Sequence, residues 1–148
     1  MSVTFREATR HDVAAIVALL TDDSLGATRE GDDLAPYLAA FDAMQGEGAN
    51  TLLVGELGGE VVATYQLTFI TGLSLKAARR AQVESVRVSD ALRGGGIGAL
   101  LMADAERRAR AAGCTLIQLT TNRQRLDAHR FYDRLGYDPS HLGYKKTL

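Results

Sequence analysis

Tryptophan is absent from this chain, cysteine occurs once and proline twice. With Cys114 alone, neither an intramolecular disulfide nor a cysteine-based metal cluster can form. No spacing of His, Asp, Glu and Cys suggests a catalytic metal. No apolar run approaches the roughly 20 residues that span a bilayer. The opening Met1-Ser2-Val3-Thr4-Phe5-Arg6-Glu7 lacks the apolar core of a secretory signal. Repeats and low-complexity stretches are missing too. The net charge of −1 provides no basic field for nucleic acid. What remains is the expectation of a cytoplasmic enzyme or binding domain, with neither nucleic acid nor a membrane as partner. A length of 148 residues suits one domain over 1–148, able to bury roughly two thirds of its unfolded surface. A composition of 46% hydrophobic and 24% charged residues is that of an ordinary globular protein.

Periodicity orders the elements. Residues 3–8 read as a strand, and Thr9-x-x-Asp12 is a capping signal. Val13, Ile16, Val17 and Leu20 recur at helical spacing, as do Leu34, Tyr37, Leu38 and Phe41. Between them lies an acidic loop, 21–33, with Asp22, Asp23, Glu30, Asp32 and Asp33. Two β-rich runs, 51–56 and 61–70, flank Gly58-Gly59, which suits a two-residue hairpin turn. A loop over 71–80 carries Lys76, Arg79 and Arg80. A strand over 82–88, a glycine turn and a helix to about Ala112 follow, stopped by Gly113. Residues 114–121 read as an apolar, central-type strand in which Cys114 packs as a small hydrophobe. Ala128, Phe131, Tyr132 and Leu135 form a last helical stripe before Gly136, and 137–147 offers one or two short strands. Successive runs without a helix favour antiparallel pairing, while the unit 82–121 favours a parallel crossover. The expected fold is α/β: a mixed, mostly antiparallel sheet flanked by about four helices.

The most telling stretch is Arg93-Gly94-Gly95-Gly96-Ile97-Gly98, between the run Val83-Glu84-Ser85-Val86-Arg87-Val88 and the helix that opens at Ala99. A strand turning through glycines into a helix N-terminus offers unpaired N–H groups and partial positive charge to an anion. Gly94, Gly96 and Ala99 match G-x-G-x-x-G/A, but the next strand-like run ends Gln118-Leu119-Thr120-Thr121-Asn122 without the carboxylate of a dinucleotide site. A second mononucleotide half does not fit in the remaining residues, so that reading is set aside.

Arg93-x-x-Gly96-x-Gly98 instead resembles the acyl-CoA pyrophosphate loop, [Q/R]-x-x-G-x-[G/A], of the GCN5-related N-acetyltransferases (GNAT). Downstream, Asp127-Ala128-His129-Arg130-Phe131-Tyr132-Asp133-Arg134-Leu135-Gly136-Tyr137 is similar to that family's A-x-x-[FL]-Y-x-x-x-G-[FY] segment. Phe5-Arg6-Glu7-Ala8 followed by Asp12 looks like its first strand and helix start.

The resemblance implies direct transfer of an acetyl group from acetyl-CoA to a primary amine, on a small molecule or a protein, without a metal. Backbone N–H groups of Gly94, Gly95, Gly96, Ile97, Gly98 and Ala99 would face the pyrophosphate, with Arg93 a further cofactor-binding residue. The main chain of Val86 and Val88 would pair with the pantetheine arm, and the Val88 N–H would face the thioester oxygen. Tyr132 would serve as general acid to the departing thiolate; on the stripe alone it reads as a core aromatic. Glu84 is the candidate general base, expected on one strand face with Val86 and Val88, where apolar neighbours would raise its pKa. Its competing reading is an edge carboxylate paired with Arg80 or Arg87. Relatives place an Asn seven residues before the Tyr to bond pantetheine; Arg125 stands there, with Asn122 three residues earlier. Arg125 reads either as a contact to the 3′-phosphate of CoA or as a solvated cation. The acidic loop and Tyr37 lie where the family admits its acceptor, and an acidic mouth would favour a cationic amine. The family also allows a homodimer. A non-catalytic acyl-CoA-binding sensor would keep the glycine turn and need no base.

Overall fold

Apolar alternation places five strands in one sheet. The computed structural model of the chain describes residues 2–23 and 25–148; Ser24, in the acidic loop, lies outside the described residues. The strands are β1 (Thr4–Glu7), β2 (Asn50–Leu57), β3 (Glu60–Thr71), β4 (Arg79–Val88) and β5 (Leu116–Leu119), in that order across the sheet. The helical elements are α1 (Val13–Thr21), α2 (Gly26–Arg29), α3 (Ala35–Gln45), α4 (Ser74–Ala77), α5 (Ile97–Ala111) and α6 (Leu126–Arg134). The first four strands pair antiparallel. The Thr115 N–H donates to the Arg79 carbonyl (2.9 Å) and Gln118 bonds Gln82 (2.7 Å), so β5 runs parallel to β4. The mixed, mostly antiparallel sheet and its parallel crossover are thus as expected. The chain forms two compact units, Met1–Gln118 and Leu119–Leu148.

In the first unit, helices cover both sheet faces. Val54, Tyr65, Leu67 and Val83 are buried on β2 to β4, and Leu101, Met102, Ala105 and Ala109 form the buried stripe of α5. The Tyr65 hydroxyl donates to Asp104 of α5 at 2.6 Å, which puts α5 on the Tyr65 face. α1 and α3 lie on the opposite face, against Thr64 and Gln66. Gly58 and Gly59, both at positive φ, close the β2–β3 hairpin.

Several boundaries differ from the sequence reading. β4 begins at Arg79, because pairing with β3 down to Thr71 carries those cations into the sheet. The intervening α4 is wound left-handed at Leu75, Lys76 and Ala77 (φ +55 to +59°). α2 forms inside the acidic loop. β5 ends the strand order rather than lying centrally, and its Leu116 is 41% exposed. Residues 137–148 contain no strand, where one or two short strands were expected.

Arg6 ties β1 to its neighbours. Its Nη1 donates to Asp12 (2.8 Å) and its Nε to Glu56 of β2 (2.7 Å). Asp12, at 8% exposure, also accepts the Thr9 N–H (2.7 Å), so the capping signal is realised. The Arg6 hydrogen bond outweighs burial and pulls the Asp12 carboxyl down to about 2. A depressed folded pKa adds stability that is complete above the unfolded value near 4 and lost as pH falls toward 2. Asp12→Asn is therefore expected to cost on the order of 2 kcal/mol at neutral pH. In urea denaturation its difference from wild type should close between about pH 4 and pH 2; a pH-independent difference would show that the ion pair is not its source.

Candidate active site

β4 does not alternate evenly. Gln66 pairs with Glu84 and Thr64 with Arg87, so two steps on β3 face three on β4. The extra residue is accommodated at Ser85, at φ +55°. This β-bulge breaks the period-2 rule on which the placement of Glu84 rested. Glu84 shares a face with Gln66, Thr64 and Arg87, whereas Val88 pairs with Ala63 on the Tyr65 face. The expectation that Glu84 and Val88 share a face is corrected, and with it the apolar setting: Glu84 is exposed. Arg87, one of its two candidate partners, instead meets Asp23 at 3.6 Å, both side chains largely buried.

The register of β5 against β4 ends near Val83, since β5 stops at Leu119. No strand pairs with β4 on that side from Glu84 to Val88 among the described residues. Two of the carbonyls there have local donors: Val86 accepts from Arg87 Nη1 (2.9 Å) and Val88 from Arg93 Nε (3.4 Å). A short 3-10 turn, Asp90–Leu92, then leads into the glycines.

Gly94 and Gly96 take φ +82° and +86°, a conformation that costs other residues roughly 1 kcal/mol or more. Gly96 is the N-cap of α5, and its carbonyl accepts the first helical bond, from Leu100 N–H (3.2 Å). The N–H groups of Ile97, Gly98 and Ala99 precede that bond and are intrahelical orphans. No side chain caps this end and no acidic residue occupies the first turn. Ile97 is buried and anchors the turn, while residues 93–96 are exposed. Gly98 is the second residue of α5 and outside the positive-φ set, at a position where glycine costs about 1 kcal/mol against alanine. Arg93 pairs with Asp90 at 2.7 Å. The Arg93 and Gly95 N–H groups bond the Asp90 (3.4 Å) and Leu92 (3.3 Å) carbonyls, and the first turn of this 15-residue helix presents the unpaired donors, a geometry suited to an anion.

The second unit carries the remaining predicted residues. Asn122 is committed locally: its Oδ1 accepts the Gln124 N–H (2.9 Å), and its carbonyl bonds Arg125 N–H and His129 Nε2 (both 3.0 Å). Arg125 precedes α6. Tyr132 is half-buried on α6, with its ring edge-on to Phe131 (5.0 Å) and Tyr137 (5.8 Å). The Tyr137 and Gly136 N–H groups bond the carbonyls of Tyr132 (3.0 Å) and Asp133 (3.1 Å), and Gly136 has φ +88°. This is a Schellman ending whose apolar contact is the Tyr132–Tyr137 ring pair. The spacing of Tyr132, Gly136 and Tyr137 therefore has a local structural cause.

The acidic loop is mostly committed as well. Asp23 pairs with Arg87 and accepts the Gly26 N–H (3.1 Å); Glu30 accepts the Tyr37 hydroxyl (2.9 Å); Asp33 accepts the Ala35 N–H at the start of α3 (3.0 Å). Among the described residues no group of three His, Cys, Asp or Glu is arranged to hold a metal, and no helix is long and apolar enough to cross a membrane.

Comparison with known proteins places the chain in a family. The chain matches the model of the acetyltransferase (GNAT) family over residues 14–137. It is 46% identical over 67 residues to the aminoalkylphosphonate N-acetyltransferase of Salmonella typhimurium, spanning 45% of this chain and 44% of that relative. It superposes on the crystal structure of a transcriptional regulator from Bacillus halodurans C-125 with TM-score 0.95 and 43% identity, over 99% of this chain and 100% of that one. A predicted acetyltransferase from Clostridium acetobutylicum, crystallised with acetyl-CoA, shares the fold at TM-score 0.74 and 15% identity, over 97% and 96% of the two chains. The chain belongs to the GNAT family of acetyltransferases.

Proposed function

We propose that residues 1–148 form one catalytic domain that transfers the acetyl group of acetyl-CoA to a primary amine. The observation that carries this reading is the uncapped glycine turn of α5, directly downstream of a strand end that, among the described residues, has no strand on its β5 side. Family membership supports acetyl transfer. The turn, from Gly94 to Ala99, supplies N–H donors for the pyrophosphate, with the Gly95 N–H bonded to the Leu92 carbonyl (3.3 Å) and Arg93 at its entry, and β4 offers the main chain of Val86 and Val88 to the pantetheine arm. Arg125 and Asn122 are the further cofactor contacts carried over from the sequence.

In the reaction the amine nitrogen attacks the thioester carbonyl carbon. The C–N bond forms, the C–S bond breaks, and the Val88 N–H steadies charge on the oxygen. Glu84, directly or through a water, accepts the proton that nitrogen sheds. The Tyr132 hydroxyl gives its proton to the thiolate, and solvent returns the Glu84 proton to Tyr132. The exposure of Glu84 supports the water-mediated form.

Two variants test the assignment. Gly98→Asp places a carboxylate at the proposed pyrophosphate site, so calorimetric affinity for acetyl-CoA should fall at least about tenfold. Unchanged affinity in the folded variant would remove the turn from the binding site. Tyr132→Phe keeps the ring and the Schellman contact; turnover should fall by roughly 10²-fold with acetyl-CoA affinity unchanged. Wild-type turnover in that variant would exclude Tyr132 as the acid.

A further inference from the structure

The bulge that moves Glu84 also identifies what stands in front of it. On the Thr64–Gln66 face, a cavity of about 130 Å³ opens between α1, α3 and the sheet. Ile16, Leu20, Phe41 and Met44 form its apolar wall, and Gln66 and Ser85 its sheet end. None of the described side chains that line it is charged. Two of its polar groups are already committed: the Thr64 hydroxyl to the Leu53 carbonyl and the Tyr37 hydroxyl to Glu30, both at 2.9 Å. Glu84 is in register with Gln66 and adjoins Ser85, so the candidate base shares a face with the sheet end of this cavity.

We propose that this cavity holds the acceptor, and that the acceptor is a primary amine bearing an uncharged apolar group of about six carbons. This rests on the acetyl-transfer reading and adds the acceptor class to it. Volume sets the size, since an apolar cavity of about 150 Å³ accommodates benzene. Wall chemistry sets the class. A phosphonate or a second ammonium lodged among these side chains would be a buried charge without a partner, which is strongly unfavourable. The acceptor class therefore departs from that in the name of the Salmonella relative. The amine end lies toward Ser85, beside the carboxylate that takes its proton.

The test is thiol release from acetyl-CoA with ethylamine, butylamine, hexylamine, phenethylamine, spermidine and aminomethylphosphonate. From ethylamine to hexylamine, kcat/KM should rise by about fourfold per methylene as each is buried. Phenethylamine should exceed aminomethylphosphonate and spermidine at least about 100-fold. Ala40 lines the cavity from an exposed position on α3, so Ala40→Phe can fill it without invading the core. That variant should lower the phenethylamine-to-ethylamine ratio of kcat/KM at least about tenfold with calorimetric acetyl-CoA affinity unchanged; Ala40→Leu should give a smaller shift and replaces it if Ala40→Phe fails to fold. A flat alkylamine series, a preference for spermidine or the phosphonate, or an unmoved ratio overturns the acceptor class and leaves acetyl transfer standing. Acetyl-CoA binding without thiol release to any amine overturns the transferase reading, and the acceptor class with it.

Discussion

One bulge in β4 decides which of its side chains share a face of the sheet. Ser85 holds a left-handed conformation that costs a non-glycine residue roughly 1 kcal/mol, and the sheet imposes it by pairing on both sides of the bulge. Were β4 paired regularly through Ser85, with no bulge, a register fixed by Arg87 against Thr64 would set Glu84 opposite Leu67. That position is on the α5 face, where Tyr65 and Leu67 are buried. A carboxylate there would be in a dry core and strongly penalised. With the bulge, Glu84 is in register with Gln66 on the face of the uncharged cavity and stays in contact with water. The cost at Ser85 is small beside the desolvation it avoids, which is the sense in which local strain serves the site.

A glycine turn cannot aim itself, because it has no side chains with which to pack. Its direction is inherited from α5, and α5 is held by Asp104. That carboxylate, 2% exposed, accepts from Tyr65 (2.6 Å) and Arg108 Nε (2.8 Å) and pairs with Arg107. Burial alone would raise its pKa, but these donors hold it below the ordinary value. Tyr65 is pushed up by burial and by Asp104, so its hydroxyl stays a donor. Arg108 continues to the Phe5 carbonyl of β1 (3.2 Å). One helix is thus tied to an inner strand and to the first strand of the sheet through charge-assisted bonds, which are directional where apolar packing is not. Ile97 fixes the start of the same helix, so the donor end of α5 is set from two points.

Much of this was legible in the residues because the deciding forces are local. The amphipathic stripes of α1, α3 and α6, the Gly58-Gly59 hairpin and the strand–glycine–helix order depend on side-chain periodicity and glycine conformation, and these appear directly in the letters. The bulge was not legible. Serine has no special preference for positive φ, and register is decided by the partner strand rather than by β4 itself. The cavity was equally hidden, since it needs three elements distant in sequence. The strands expected over 137–147 are absent for a related reason: a strand needs a partner edge, which the segment's own residues cannot specify. The Asp104 cluster did leave a trace, a carboxylate three and four residues before two arginines, but that spacing equally describes a solvated helix face.

The acidic loop presents less free charge than a count of its carboxylates implies. Five carboxylates precede α3, and a count alone predicts a field that draws in cations. Three of them are spent on holding the loop: Asp23 on Arg87 and the Gly26 N–H, Glu30 on Tyr37, and Asp33 on the start of α3. The Asp23 charge is cancelled by a buried guanidinium, and exposed Asp22 and Asp32 act through solvent, where salt screens them beyond roughly 10 Å. Glu84 adjoins the sheet end of the cavity, and the described side chains that line it carry no charge. If this cavity holds the acceptor as proposed, selection falls on what the apolar walls can cover rather than on net charge. Glu84 is then left for the proton.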